Sequence, residues 1–403
     1  MNTFLKFQNL RLSTTVLFAL LLTLPHLVTA QCFFNNSTGK YETPLGESCV
    51  NPIITAVPFL RIIPDARSGG MGDAGIALSP DANSVFYNAS KLVFAETKGG
   101  FSLNFTPWLQ ELEVNDVYLA SANGYLKLNE NNALGLETRY FSLGDIVFTN
   151  ENGDPIGNGR PQEFAFAASY ARKLSDNFSG GFGLRYIYSD LAKGQMVTQE
   201  NISAAKSVAA DFSFTYQTPE LTIGLAATNI GQKITYTNSV NKDFIPANLG
   251  IGVAWTKAFT EGTRLTLTTD FNKLMVPTPD LFLTNEDQDG VPDYKQKSII
   301  GGMFSSFGDA PEGFSEEIRE IMVSLGAELW IENIAAIRAG YFTEHETKGN
   351  RKYFTAGLGL KYRFVSLNGS YLVPTTNKRN PLDNTIRVSL LFDFGKSAME
   401  KDI

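Results

Sequence analysis

The sequence predicts an all-β membrane protein, a 14-stranded antiparallel transmembrane β-barrel with an N-terminal plug. Three observations carry the prediction. Beyond the amino-terminal leader no run approaches the roughly 20 apolar residues of a spanning helix, so a bilayer crossing must be made by a closed barrel. From Gly99 onward, fourteen segments alternate apolar and polar side chains with the period of two that marks a strand. Composition agrees, because 35 glycines, 30 phenylalanines and 15 tyrosines accompany a charged fraction of only 19%.

In chain order, residues 1–30 combine Lys6 and Arg11, an apolar run from Val16 to Leu24, and Val28-Thr29-Ala30 ahead of Gln31. That is a secretory signal peptide cleaved after Ala30. Gln31 stands where a lipobox needs a small residue before Cys32, which excludes lipidation. Losing two basic and no acidic residues takes the formal charge from −7 to −9, and a chain this acidic is not a nucleic-acid binder. Residues 31–52 read as a polar periplasmic extension. Its Cys32 and Cys49 are the sequence's two cysteines, and in a secreted context they form a disulfide worth about 3 kcal/mol on the chain-entropy model. The alternative, a redox pair, lacks C-x-x-C spacing.

Residues 53–95 read as the plug. Between Ser68 and Ala77 the chain is SGGMGDAGIA, suited to backbone that packs closely or takes positive φ. Such a segment cannot make a core alone and needs walls. Residues 96–394 supply them, with strands expected at about 99–107, 116–127, 132–142, 163–173, 177–190, 206–217, 221–230, 246–257, 263–273, 320–332, 334–343, 352–363, 364–374 and 385–394. In the last, Ile386, Val388, Leu390, Phe392 and Phe394 alternate with Arg387, Ser389, Leu391 and Asp393. A barrel this wide leaves a wet lumen, so the apolar face points to lipid. Turning Arg139 or Arg387 to the bilayer midplane would cost about 2–4 kcal/mol each, which fixes the register. Glu137, Arg139, Arg185 and Asp211 then read as solvated lining, and Trp108, Tyr118, Tyr188, Trp255 and Trp330 as interfacial girdles.

Connections alternate between short and long, as periplasmic turns and extracellular loops do. With an even strand count both termini, including the tail 395–403, are expected in the periplasm, with the plug in the periplasmic mouth. The loop 274–319 is the outlier in length, and loops of that size are functional or disordered. Its Ile299, Ile300, Met303, Phe304 and Phe307 form an apolar patch suited to docking a partner, or to folding back as a lid. Asp287, Asp289 and Asp293 around Gly290 have the oxygen spacing of a calcium turn, although the glutamate that closes an EF-hand is missing; the simpler reading is a turn built from Asp, Gly and Pro. No cofactor is otherwise indicated. An enzyme is not expected, because of the two histidines His26 leaves with the leader and His345 has no triad context. Gly69, Gly70, Gly72 and Gly75 match no nucleotide-binding fingerprint.

The block SGGMGDAGIALSPDANSVFYNASKL, Ser68 to Leu92, resembles the hatch of FadL-like outer-membrane proteins, with Asn88-Ala89-Ser90 where those read Asn-Pro-Ala. Within that superfamily it is most similar to the PorV (LptO) family of type IX secretion barrels of Bacteroidota. The resemblance implies a protein of the cell outer membrane, embedded in its lipids, that binds the type IX translocon barrel. It implies collection of secreted cargo bearing a C-terminal signal domain and delivery to the attachment complex containing the sortase PorU. The LptO name implies a link to lipopolysaccharide deacylation, for which these residues offer no catalytic group. The alternative is a FadL-like transporter of hydrophobic small molecules. A polar lumen with an apolar outer loop favours docking, and an apolar tunnel would favour transport.

Overall fold

The computed structural model describes residues 32–38, 40–43, 46–109, 116–150, 152–192, 196–197, 200–237, 241–375 and 385–396; the leader and residues 397–403 lie outside them. The chain divides into two compact units, Met1–Cys49 and Val50–Ile403. In the first, Phe33–Asn35 pairs antiparallel with Lys40–Glu42, and Cys32 is disulfide-bonded to Cys49.

The second unit is a closed barrel of fourteen strands. They are β1 (Thr97–Pro107), β2 (Val117–Asn129), β3 (Asn132–Leu143), β4 (Gln162–Lys173), β5 (Phe178–Asp190), β6 (Ala205–Gln217) and β7 (Leu221–Gly231). The circuit continues through β8 (Asn248–Ala258), β9 (Arg264–Leu274), β10 (Met322–Ile331), β11 (Ala335–Thr343), β12 (Lys352–Tyr362), β13 (Val365–Pro374) and β14 (Ile386–Lys396). Every pairing is antiparallel, and β14 closes on β1 with Leu390 opposite Leu103. Strand boundaries lie within two residues of those the alternation predicts. Two further hairpins, Ile146–Thr149 with Pro155–Gly159 and Met196–Val197 with Glu200–Asn201, are too short for a period of two to reveal.

The predicted register holds. Arg139 and Arg387 face inward and are buried, while Leu134, Leu136, Phe166, Leu184 and Val388 face outward. Two aromatics assigned to the girdle point inward instead. Trp108 packs on Phe141 with ring centroids 4.9 Å apart, and buried Trp330 lies under the guanidinium groups of Arg264 and Arg338 at 5.3 and 5.7 Å. Trp255 stays on the outer face. An aromatic near a strand end faces lipid only if its parity in the alternation is outward, and parity overrules the preference of the residue type.

The expectation of a wet lumen fails because the plug fills it. Val57, Phe59, Leu60 and Ile62 pack on Val117, Leu119, Phe141 and Ile187, at the end of the barrel where the long connections emerge. Ile76 meets Gly252 halfway down β8. Val85, Ala89, Leu92 and Val93 pack on Tyr125, Ala133 and Ala171 near the short turns, and Ala95 leads into β1 there. The segment therefore runs the length of the lumen rather than sitting in the short-turn mouth. Val50 to Pro52, expected on the same side as the tail, are at the opposite end, where Asn51 N donates to Thr347 O at 3.1 Å. An even strand count returns a chain to its starting side only when the preceding segment does not itself cross, and here it does.

Close approach of plug to wall depends on glycine. A Cβ built on Gly340 of β11 would lie 2.0 Å from Gly72 N, one on Gly326 of β10 2.6 Å from Met71 O, and one on Gly357 of β12 3.1 Å from Gly70 Cα. Gly72 itself has φ of 67°, which side chains disfavour. Because the obstructing atoms are backbone, neither surface can yield by a rotamer change. Gly340→Ala is expected to cost at least the roughly 1–3 kcal/mol of an overpacked core and to lower the fraction of barrel that resists detergent unfolding. Gly369→Ala on β13, with nothing within 4 Å of its Cβ, is expected to match wild type in the same assay.

Candidate functional site

Between the two apolar layers the plug meets the wall through charge. Arg67 donates to Glu328 through Nε at 3.0 Å and Nη2 at 2.8 Å, and Arg338 Nε reaches the same carboxylate at 2.7 Å. On the other side Glu137 accepts from Arg139 at 2.6 Å, and Arg185 bridges Glu137 and Asp211 at 3.3 and 2.9 Å. Asp270 accepts the backbone N–H groups of Gly75 and Ile76 at 2.7 and 2.9 Å. Asp73 accepts from the Tyr353 hydroxyl at 2.5 Å and pairs with Arg387 at 3.3 Å. Glu137, Arg139 and Arg185 are thus buried interior groups, not solvated lining, and Arg139 reaches the plug, donating through Nη1 to the carbonyls of Phe59, Leu60 and Ile62 at 3.2, 3.1 and 3.3 Å. Removing one partner of a buried pair of this kind costs about 3–5 kcal/mol, so the charges fix where the plug sits.

A cavity of about 110 Å³ lies at this level, bordered by Arg61, Arg185, Arg351, Asp73 and Asp270 and also by Leu60, Ile76, Phe86, Met322 and Phe342. Its lining is mixed, and a volume of about 110 Å³ is below the roughly 300 Å³ at which small-molecule pockets begin.

The other candidate is the long β9–β10 connection, and its parts are ordered into three short helices. Ile299–Ser305 begins with the Ser298 side chain accepting from Gly301 N at 3.1 Å. Gly302 seats the helix against Phe244 and Pro277, where a Cβ would approach to 2.9 and 3.0 Å. That orientation turns Ile300, Phe304 and Phe307 outward at 57%, 76% and 47% exposure, while Ile299 and Met303 are half-buried. Three of the five apolar residues singled out by sequence therefore share an exposed crest, and these three do not fold back as a lid.

Helix Phe314–Arg319 has the reverse of the usual amphipathic arrangement. Its Glu316 and Glu317 are buried, whereas Phe314 is 80% exposed and Ile318 also faces outward. The carboxylates are drawn in by two lysines of the barrel rim. Lys348 binds Glu316 at 2.5 Å and Glu320 at 2.9 Å, and Lys273 binds Glu317 at 2.9 Å and also Glu320. Asn51 Nδ2 adds a 2.7 Å bond to Glu316, and Thr278 Oγ1 one of the same length to Glu320. Sequence reasoning missed Phe314 and Ile318. Their spacing of four marks a helix face, but nothing local says that the acidic face is the buried one.

The three aspartates do not converge. Asp287 and Asp289 both accept from Gln296 Nε2, at 3.2 to 3.3 Å, while Asp293 accepts from Glu286 N at 3.2 Å. Their oxygens organise the turn, and among the described residues no group of three acidic, histidine or cysteine side chains is arranged to hold a metal ion. His345 hydrogen-bonds Thr347 in the β11–β12 connection at 3.0 Å.

The ionic base of the loop generates a pH dependence. Burial pushes the Glu316 carboxyl up, but the Lys348 ammonium, the Glu312 N–H and the Asn51 amide outweigh it and hold the group below its ordinary value of 4.5. A depressed folded value means that its contribution is complete above the ordinary carboxylate range and is lost as pH falls through the folded value. Amide hydrogen exchange in Phe314–Arg319, corrected for intrinsic rate, is expected to stay slow from neutral pH down to the ordinary carboxylate range and to accelerate as pH falls below it. Lys348→Met is expected to give fast exchange there already at pH 7.

The sequence model of a family described as Type IX secretion system protein PorV matches residues 47–281, more than half of the chain. No curated protein matches the chain in sequence. Among solved structures it is similar to the Ralstonia pickettii toluene transporter TbuX, at 12% identity and a TM-score of 0.50, covering 83% of this chain and 98% of that one. It is also similar to the P. putida toluene transporter TodX, at 10% identity and a TM-score of 0.51, covering 83% and 99%. At such identities the likeness is one of fold.

Proposed function

The chain belongs to the PorV family of type IX secretion system proteins, and from that premise we propose that it works by docking: it binds the translocon barrel, receives cargo bearing a C-terminal signal domain, and carries it to the PorU-containing attachment complex. Its outer-membrane barrel and its family make it an outer-membrane component of type IX secretion. The observation that carries the docking reading is the crest of Ile300, Phe304 and Phe307, turned outward where Gly302 seats its helix against Phe244 and Pro277. Apolar side chains that an ordered helix keeps in water favour a partner that covers them. Each contributes about 1.5–3 kcal/mol on burial before the costs of association, so a cluster of three is enough to decide binding only when all act together.

The alternative, transport of hydrophobic molecules through the lumen, finds little support in the interior. Its middle layer carries buried ion pairs, between plug and wall at Arg67–Glu328 and within the wall at Arg185–Glu137, and the cavity there, about 110 Å³, is small for a transport path.

The double substitution of Phe304→Ser and Phe307→Ser tests the docking proposal. Both side chains are exposed, so the barrel is expected to fold and insert normally. Co-purification with the translocon should drop at least tenfold, which about 1.4 kcal/mol of lost binding suffices to produce, and cargo should accumulate in the periplasm. Unchanged pull-down and secretion would sink the idea. The same pull-down with and without a calcium chelator reads out whether Asp287, Asp289 and Asp293 contribute through calcium.

A further inference from the structure

We infer that the segment leading into the plug, Val50–Ile62, lies on the cell-surface side of the outer membrane, so that the plug is a fifteenth passage of the chain from one face of the barrel to the other. The inference rests on the outer-membrane placement of the barrel and not on the docking proposal.

Three separate contacts fix this segment at one end. Asn51 is held from two connections at once, by Thr347 O at 3.1 Å between β11 and β12 and by Glu316 at 2.7 Å between β9 and β10. Ala56 N donates to Phe244 O at 2.9 Å in the β7–β8 connection. Val57, Phe59, Leu60 and Ile62 then bury against Val117, Phe141, Ala205, Ile234 and Ile245, residues at strand ends that lead into long connections or within those connections. The far end of the plug is as well defined, since Lys127 Nζ donates to Ala95 O at 2.9 Å beside the turn that joins β2 to β3.

The two rims differ as outer-membrane barrels do. On the rim that holds Asn51 the connections are 108–116, 144–161, 191–204, 232–247, 275–321, 344–351 and 375–385; on the other they are 130–131, 174–177, 218–220, 259–263, 332–334 and 363–364. Long connections face outward from the cell and short turns face the periplasm. The apolar cluster around Phe59 and Leu60 makes a periplasmic location of Val50 costly, because reaching it would require withdrawing four buried side chains through a polar, ion-paired layer. Residues 50–56 thereby become a surface clasp that joins three loops and holds the upper end of the plug.

Thiol labelling in intact cells decides the matter. Ile54 is 74% exposed, so Ile54→Cys reports on the segment without disturbing packing, and the Cys32–Cys49 disulfide leaves no native thiol to react. Glu286→Cys on the long β9–β10 connection and Asp176→Cys on the β4–β5 turn, both exposed, mark the two rims. With a membrane-impermeant maleimide, Ile54→Cys and Glu286→Cys are expected to label equally in intact and permeabilised cells, and Asp176→Cys only after permeabilisation. An Ile54→Cys protein that behaves like Asp176→Cys overturns the inference. So does one that labels in neither state, since the segment would then be covered. If Asp176→Cys labels in intact cells and Glu286→Cys does not, the orientation of the whole barrel is reversed and the inference falls with it.

Discussion

A closed barrel of fourteen strands encloses more volume than its own inward side chains can fill, and the backbone of residues 57–95 supplies what is missing. Chain can fill that space only if it approaches the wall closely and if its polar groups find partners there. Gly326, Gly340 and Gly357 meet the first condition by leaving room for Met71, Gly72 and Gly70. Glu328, Asp270 and Arg387 meet the second by binding Arg67, the N–H groups of Gly75 and Ile76, and Asp73. The wall is therefore as specialised as the plug, and neither is a stable surface without the other.

The interior is layered. Apolar clusters around Phe59 and around Leu92 lie above and below a middle layer of ion pairs. Such a stack resists solvent and hydrocarbon alike, because a polar solute meets an apolar layer and an apolar solute meets buried charge. This moves the working surface of the protein to its rim. There the same chemistry recurs in reverse, with Glu316, Glu317 and Glu320 drawn inward by Lys273 and Lys348 so that Phe314 and Ile318 stand in water. Asn51 ties the two regions, since it belongs to the chain entering the plug and bonds to the helix that carries Phe314.

The fourteen strands, their inward and outward faces and the alternation of short and long connections were legible in the sequence, because a period of two is local and Arg139 or Arg387 tolerates only one parity. The glycine-rich run Ser68–Ala77 announced a segment that packs closely against something else. What it packs against was not legible, because Gly340 and Gly72 are brought together only when the barrel closes. The same limit explains the misread charges. Glu137, Arg139 and Arg185 look like wet lining until the plug excludes water from them, and Glu316 looks like a solvated helix face until Lys348, thirty-two residues away, binds it.

Sequence alone thus determined the architecture and the family resemblance, since both reside in contiguous patterns that a single strand or a single block displays. The tertiary structure decided the path of the plug, the dryness of the lumen, the inward turn of Trp108 and Trp330, and the side of the barrel at which the plug begins. Each of those depends on which distant groups become neighbours. No local period encodes such neighbours, whose energies, from burial and from charge pairing, exist only in the assembled barrel.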